Sequence, residues 1–575
     1  MKKSFYCLLF GLFIYAQLGY SQRINELKDP KTPQTTEKWN NLKEKSNFAF
    51  STADYSYSKT NPPTAETWNK SWNTKAWKGE KIHTQLVFWS NQNHDKIEVS
   101  SSSLRNSEAK EIGTKDITIG YISYVMTDLP GDLTNGCGIS KVLDSALVAD
   151  RITNQSTFEY DKNTTRPLWL SIQVPRDAQA GIYKGSLTLK GTNYYTTIPY
   201  TVEVLTHVLP EAKNWAYHLD LWQNPYSIAR QHEVELWSSA HFNAMKPYYE
   251  RLRDAGQKNI TASIINDPWN GQTYDKYQAM IKWTKKRDGS WSYDYSIFDK
   301  WVSFMREIGI SEYINCYSMI PWNMNFQYFD ETSGNYQILK VKTDDPKYRE
   351  HWLPLLKDFA RHLKQKGYFE WTTIAMDERP LEDMKRAIAI IKEADPQFKS
   401  SLAGAYHPEI SDNFADYSIT LGEDMSPQIL KARKEKGFKT TFYTCCSEIF
   451  PNTFTNSGYQ EATWLAWHSL QRGFDGYLRW AFDCWNTNPS QDTRYGTWLG
   501  GDTYFVYPNN MTSIRFEKLI EGIQDAEKIR ILRDQLTPAQ LEKLNKAIAG
   551  FTNKNIIQNA IPKQLKEAKA VLNSL

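Results

Sequence analysis

After Pro210 the chain repeats one local pattern five times: a helical stretch ends in glycine and runs straight into a short apolar segment. Gly256 precedes 260–265, Gly309 precedes 313–317, and Gly367 precedes 371–376. Gly437 precedes 440–444, and Gly473 precedes 476–482. Glycine just past a helix takes the left-handed cap conformation. A repeated helix–glycine–strand unit gives parallel strands joined by helical crossovers. Strands are expected at 217–222, 260–266, 313–317, 371–376, 401–405, 417–420, 440–444 and 476–481. Eight such strands predict a TIM-like (β/α)8 barrel with inserted loops over residues 209–535. A doubly wound sheet is the alternative, but no glycine-rich phosphate loop follows the first strand.

The region before this obeys a different rule. Residues 167–174, 183–190 and 194–205 are strand-like, and Tyr194, Ile198, Tyr200, Val202 and Val204 fall on one face. Period-two alternation between Pro, Gly and Asn turns marks antiparallel strands. An N-terminal β-sandwich over residues 22–208 is the economical reading. Residues 536–575 carry helical spacing, with Leu541, Leu544, Ala547 and Ile548 in step, and predict a short C-terminal helical extension. The fold class expected is therefore multidomain, α/β plus β.

Lys2 and Lys3 followed by an apolar stretch and Gly19-Tyr20-Ser21 have the layout of a cleaved export signal over residues 1–21. The apolar stretch is short for spanning a membrane. An exported protein, periplasmic or secreted, is the expectation. Removing the two lysines lowers the formal charge from +4 to +2, since residues 1–21 hold no acid. Near neutrality implies no nucleic-acid or other polyanionic partner. Past residue 21 the cysteines are Cys137, Cys316, Cys445, Cys446 and Cys484. Their odd number and irregular spacing argue for buried free thiols and against a disulfide framework. No spacing resembles a zinc site, and no metal or organic cofactor is called for.

The chemistry is expected at Asp377-Glu378, which closes the apolar run of strand four and is followed by Arg379-Pro380. Barrel active sites lie at the C-terminal ends of strands. Pro380 suits the first turn of the next helix, so the acids stand on a sharp strand–loop–helix junction. A helix-dipole role explains Glu382 and Asp383, inside the first turn, better than the acids before Pro380. Other strand ends are rich in rings and polar groups: Asp220 and Trp222, Trp322, Tyr406-His407, and Trp480, Asp483 and Trp485. Aromatics make up 14% of the chain. A cleft walled by Trp and Tyr over a few acids suits a neutral polyhydroxylated ligand.

Two carboxylates are the usual machinery of glycoside hydrolysis, but acid and nucleophile normally come from different strands. Adjacent acids fit better where the substrate supplies its own nucleophile. A 2-acetamido sugar does so through its carbonyl oxygen, giving an oxazoline. Asp377 would then orient the amide N–H, and Glu378 would protonate the leaving oxygen and later activate water. Like charges at short range and aromatic enclosure should raise one pKa.

Met376-Asp377-Glu378-Arg379-Pro380 resembles the acid-pair motif of glycoside hydrolase family 123. Residues 475–480, Gly501-Asp502-Thr503-Tyr504, Tyr507-Pro508, 513–517 and 521–525 are also similar to that family. Trp77-Lys78-Gly79-Glu80 and residues 180–185 resemble its preceding β-sandwich domain. The resemblance runs from about residue 60 to 535. It implies a retaining exo-β-N-acetylgalactosaminidase acting on terminal β-linked GalNAc, as in glycosphingolipid glycans. Asp377 would be the acetamido-orienting acid and Glu378 the general acid/base. A tyrosine on the acetamido oxygen is also implied, with Tyr406 preferred and Tyr443 second. Trp480 and Trp485 would form a sugar platform, and Asp483 would contact hydroxyls. Trp322, His407 and Asp220 complete the expected binding set. The rival enzyme reading uses Glu378 as acid and Glu448 as nucleophile. The non-enzyme reading is a glycan-binding protein with an inactive barrel.

Overall fold

All eight expected strands occur and lie side by side in one parallel sheet. In chain order they are His218–Leu221, Asn259–Ser263, Tyr313–Tyr317, Thr372–Met376, Lys399–Ala403, Phe414–Thr420, Lys439–Tyr443 and Gly476–Arg479. The computed structural model describes residues 24–30, 36–129, 144–496, 498–554 and 556–575. Strands two to eight pair in sequence order, and strand one pairs with strand eight. A single bridge, Leu219 to Gln257, joins strands one and two, so the barrel is nearly closed. The five cap glycines all take positive φ, from 71° at Gly473 to 110° at Gly309. At Gly309 a Cβ would also stand 3.2 Å from Arg253 Cδ, so the turn into strand three needs glycine on two counts.

The chain before residue 210 forms two β-sheets over one core. Leu86, Phe88, Leu168 and Leu170 come from one sheet, and Val99, Leu187, Ile198 and Val202 from the other. Along Tyr194–Val208 the buried positions are Ile198, Tyr200, Val202 and Val204, with Tyr194 only partly buried. The first sheet recruits a strand from far along the chain: Thr512–Ser513 pairs with Asp144–Ile152. Directly after it, Arg515 forms a buried ion pair with Asp150 at 3.1 Å. Arg515 also donates to the carbonyls of Gly501 and Tyr504 at 3.1 and 3.2 Å. The β region and the barrel thus share a wholly desolvated charge pair. Asp150→Ala leaves the guanidinium buried without its anion, and is expected to lower stability by about 3–5 kcal/mol. Urea unfolding would show it as a lower midpoint at unchanged slope; a midpoint equal to wild type would contradict this.

Three features were not anticipated. Lys282–Lys285, Trp291–Asp294, Asn325–Asp330 and Asn335–Lys340 form a separate four-stranded sheet, inserted after barrel strands two and three. Cys446 is disulfide-bonded, while Cys316, Cys445 and Cys484 are free. This corrects the expectation of free thiols; a bond needs two Cβ atoms brought together by the fold, which spacing does not encode. Third, helices Pro538–Ala549 and Ile561–Leu572 pack on Tyr459–Arg472 rather than standing apart. Phe551 stacks on Trp467 at 4.9 Å, and Trp464 donates to Gln564 at 3.1 Å. The expected signal, residues 1–21, lies outside the described residues, as does Cys137. No helix among the described residues is long and apolar enough to cross a membrane.

Candidate active site

Strand four, Thr372–Met376, is buried along its whole length, which anchors the residues that follow it. Asp377 emerges half-buried and Glu378 exposed, at the C-terminal mouth of the barrel. Asp377 accepts two N–H donors: the Trp322 indole on Oδ2 at 3.0 Å and the Glu378 amide on Oδ1 at 2.9 Å. Glu378 accepts the phenolic hydrogen of Tyr443, the last residue of strand seven. The two neighbouring acids therefore have different partners. One is held by an indole from the loop after strand three and by the next residue's own amide, the other by a phenol from strand seven.

Glu378 is exposed as a whole residue, yet its carboxyl faces into the mouth, and desolvation there raises the pKa of both acids. For Glu378 the charge of Asp377 adds to burial. For Asp377 the Trp322 and Glu378 N–H groups and the nearby Arg379 offset part of the rise, and for Glu378 the Tyr443 hydroxyl and Arg379 do the same. Burial and then Glu378 push the Tyr443 phenol far up, so it stays a donor. Gly404 lets this junction pack closely: a Cβ there would stand 3.3 Å from Glu378 Cα.

The floor is a separate apolar cluster, distinct from the main barrel core. It includes Trp222, Trp269, Tyr317, Ala375, Ala403, Tyr443 and Leu478, with Trp480 packed at its rim. The Trp222 and Trp269 rings lie 4.6 and 5.2 Å from Tyr317. The buried Trp269 indole N–H makes no hydrogen bond of ordinary geometry, but it lies close enough to Asp377 to favour that anion. Among the described residues no group of three or more His, Cys, Asp or Glu could hold a metal ion.

Residues 222–532 match the glycoside hydrolase 123 catalytic domain, and residues 50–191 match the glycoside hydrolase 123 N-terminal domain. The chain belongs to glycoside hydrolase family 123. A family 123 glycoside hydrolase from Clostridium perfringens, described for glycolipid glycan hydrolysis, is 28% identical. It superposes with a TM-score of 0.84 over 92% of this chain and 97% of its own. More distant structures include β-glucuronidase 3 of Bacteroides uniformis, 10% identical, TM-score 0.29, covering 79% of this chain and 51% of that one. A xylanase with an Ig-like domain from termite gut is 9% identical, TM-score 0.30, covering 80% of this chain and 100% of its own. No curated protein matches the sequence.

In this family 123 chain the expected binding residues are not all at the mouth. Trp322, 39% exposed, lies directly on Asp377, with the Arg379 guanidinium 3.5 Å above its ring. Tyr443 meets Glu378, whereas Tyr406 turns away: its ring packs against Tyr417 at 6.2 Å and its main-chain N–H donates to Glu423. The end of strand five thus serves packing, and the phenol at the acid pair comes from strand seven. His407 is half-buried just beyond, its main-chain N–H held by the Tyr417 hydroxyl at 2.9 Å. Trp480 is half-buried at the rim, its indole donating to Asp502 at 3.3 Å.

Three expected contacts are corrected. Asp220 is buried inside the barrel and accepts from Asn259, the first residue of strand two, at 2.8 Å. Burial and the neighbouring Asp416 carboxylate push its pKa up to about 7. Asp483 is buried and takes hydrogen bonds from the Asn224 amide at 2.7 Å and the Tyr249 hydroxyl at 3.0 Å. Trp485 is fully buried, donating to the Val506 carbonyl at 2.6 Å. All three follow or occupy strand ends, but their side chains point into the protein. Glu448 is half-buried, and one of its carboxylate oxygens caps the Cys445 N–H at 2.9 Å. Trp269, past the end of strand two, belongs to the ring-rich strand ends read from sequence as walling the cleft, whereas Tyr317 and Arg379 were given no role. Tyr317 closes strand three at the mouth, the position that singled out the other candidates.

Proposed function

We propose that this family 123 glycoside hydrolase is an exported retaining exo-enzyme that releases terminal β-linked N-acetylgalactosamine by substrate-assisted catalysis. Residues 1–21 would direct the export. The observation that carries the reading is the division of partners at the acid pair: indole and amide N–H groups on Asp377, a phenol on Glu378. Both pKa values are raised, but N–H donors converging on Asp377 suit a carboxylate that accepts from an amide N–H. The Asp377 charge, which adds to the rise at Glu378, suits that acid to giving up a proton.

In the first step the acetamido carbonyl oxygen forms a bond to the anomeric carbon. The bond from that carbon to the leaving oxygen breaks, and Glu378 protonates the departing oxygen. Asp377 accepts a hydrogen bond from the amide N–H and stabilises the positive charge of the oxazolinium ion. In the second step Glu378 removes a proton from water, which attacks the anomeric carbon and reopens the ring. Two inversions retain the configuration. Tyr443, which donates to Glu378, would transfer its hydrogen bond to the acetamido oxygen when substrate binds. The glycolipid glycan hydrolysis described for the Clostridium perfringens relative supports a glycan of that kind as substrate.

Trp322 is the adjustable part of this arrangement. Its indole N–H lowers the Asp377 pKa. Trp322→Phe keeps the ring and removes the donor, so the Asp377 pKa rises. Activity that needs the Asp377 anion is then lost at a higher pH on the acid side. The measurement is kcat/KM against pH with an aryl β-GalNAc substrate. An acid limb that does not move upward would remove the assigned role of Asp377.

A further inference from the structure

A second concave surface lies beside the catalytic mouth. It is a groove of about 990 Å3 between helix Pro225–Gln231, the 266–279 segment and the inserted four-stranded sheet. That is at the upper end of the size range of ligand sites. The 266–279 segment is shared: Trp269 belongs to the aromatic floor near Asp377, while Asn266 and residues 274–276 line the groove. Tyr226, also on the groove wall, reaches Trp269 through Tyr277, with ring centroids 5.7 and 4.6 Å apart.

Two features distinguish this groove from a surface dimple. Tyr274 and Tyr336 line it and are 46% and 59% exposed, so flat rings face solvent. The Tyr274 ring is also backed by a built support. Arg230 stacks on it at 4.5 Å and is itself locked by Asp275 at 2.8 Å and by the carbonyls of Trp485 and Asn486 at 2.9 and 3.1 Å. A ring held in place loses little freedom on binding. The remaining lining mixes apolar side chains such as Val234, Leu236 and Ile281 with amides and charges of both signs: Asn266, Gln278 and Gln327 with Lys282 and Glu233. Lys276 is neutralised by Asp267 at 3.5 Å. Near-balanced charge disfavours an anionic ligand, and scattered amides disfavour a purely apolar one. Exposed rings among amides fit the alternating apolar faces and hydroxyl edges of a neutral oligosaccharide.

We infer that this groove binds the sugars next in line on a neutral oligosaccharide whose terminal residue occupies the Asp377–Glu378 site. The inference rests on the proposed exo-hydrolysis for its register. Its test reads binding rather than turnover. Glu378→Gln protein is titrated calorimetrically with a neutral tetrasaccharide capped by β-GalNAc and with methyl β-GalNAc. The tetrasaccharide is expected to bind at least about tenfold more tightly. Adding Tyr274→Ala and Tyr336→Ala should erase that gain and leave the methyl glycoside unchanged, while the corresponding Phe pair should keep it. Equal affinity for the two ligands, or a gain that survives the Ala pair, would overturn the groove. If the gain behaves as expected but wild-type protein turns over no aryl β-GalNAc, the groove stands and the catalytic proposal falls.

Discussion

Glu378→Gln is expected to reduce kcat/KM for β-GalNAc oligosaccharides by about 10²–10⁴-fold, the range for loss of a general acid–base group. Gln is nearly isosteric and can still meet the Tyr443 hydroxyl, so the fold should hold and the loss should be chemical. The deficit should depend on the leaving group. Aryl glycosides with acidic phenols need little protonation of the departing oxygen, so their first step should suffer less. Hydrolysis of the oxazoline needs a base on water and should then limit the rate. The pH profile adds a sign. Burial and Asp377 raise the Glu378 pKa, so the protonated form persists to higher pH than for an ordinary carboxylate. Activity should fall as pH rises through that pKa. In Glu378→Gln this alkaline limb should vanish. A variant with full activity on oligosaccharides would remove Glu378 from the reaction.

Asp377→Asn and Glu448→Gln should differ most sharply as a pair. Asp377 loses its charge but keeps its shape, and its loss of transition-state stabilisation should reach about 10²–10³-fold, as for removal of an oxyanion-hole donor. Glu448→Gln should be nearly silent, because one Glu448 oxygen already caps the Cys445 N–H and Gln can accept the same bond. The two-carboxylate alternative inverts the order. There Glu448 is the nucleophile, its loss is fatal, and Asp377→Asn is mild. Glu448 lies near enough to contribute to raising the Glu378 pKa, so proximity alone does not separate the schemes. The mutant pair does. Measured kcat/KM values in the opposite order would replace one mechanism with the other.

The barrel was legible because its strands are buried on both sides and bounded by cap glycines. Residues 372–376 and 440–443 are apolar or β-branched runs, buried along their length as interior strands. The inserted sheet was not legible. Its strand Asn335–Lys340 is exposed at nearly every position, so no alternation of buried and exposed residues marks it. At the candidate site, the acid pair stood out in the sequence because two carboxylates before Pro380 had no structural use there. It misplaced Asp220, Asp483 and Trp485 because a strand end fixes location, not side-chain direction. Asp220 belongs to the lower layer of the barrel interior with Asn259 and Asp416, which no one-dimensional pattern reveals. The choice between Tyr406 and Tyr443 turned on the same point. Both end or follow a strand, but only the three-dimensional packing shows which one faces Glu378.

The central claim is that the substrate's own acetamide attacks the anomeric carbon. Its most direct test is kcat/KM for aryl β-glycosides carrying N-acetyl, N-fluoroacetyl, N-difluoroacetyl and N-trifluoroacetyl groups. Each fluorine withdraws electron density from the carbonyl oxygen and weakens it as a nucleophile. Substrate assistance predicts a steep, monotonic fall along the series. A flat series with activity intact would contradict the account and assign the nucleophile to the protein.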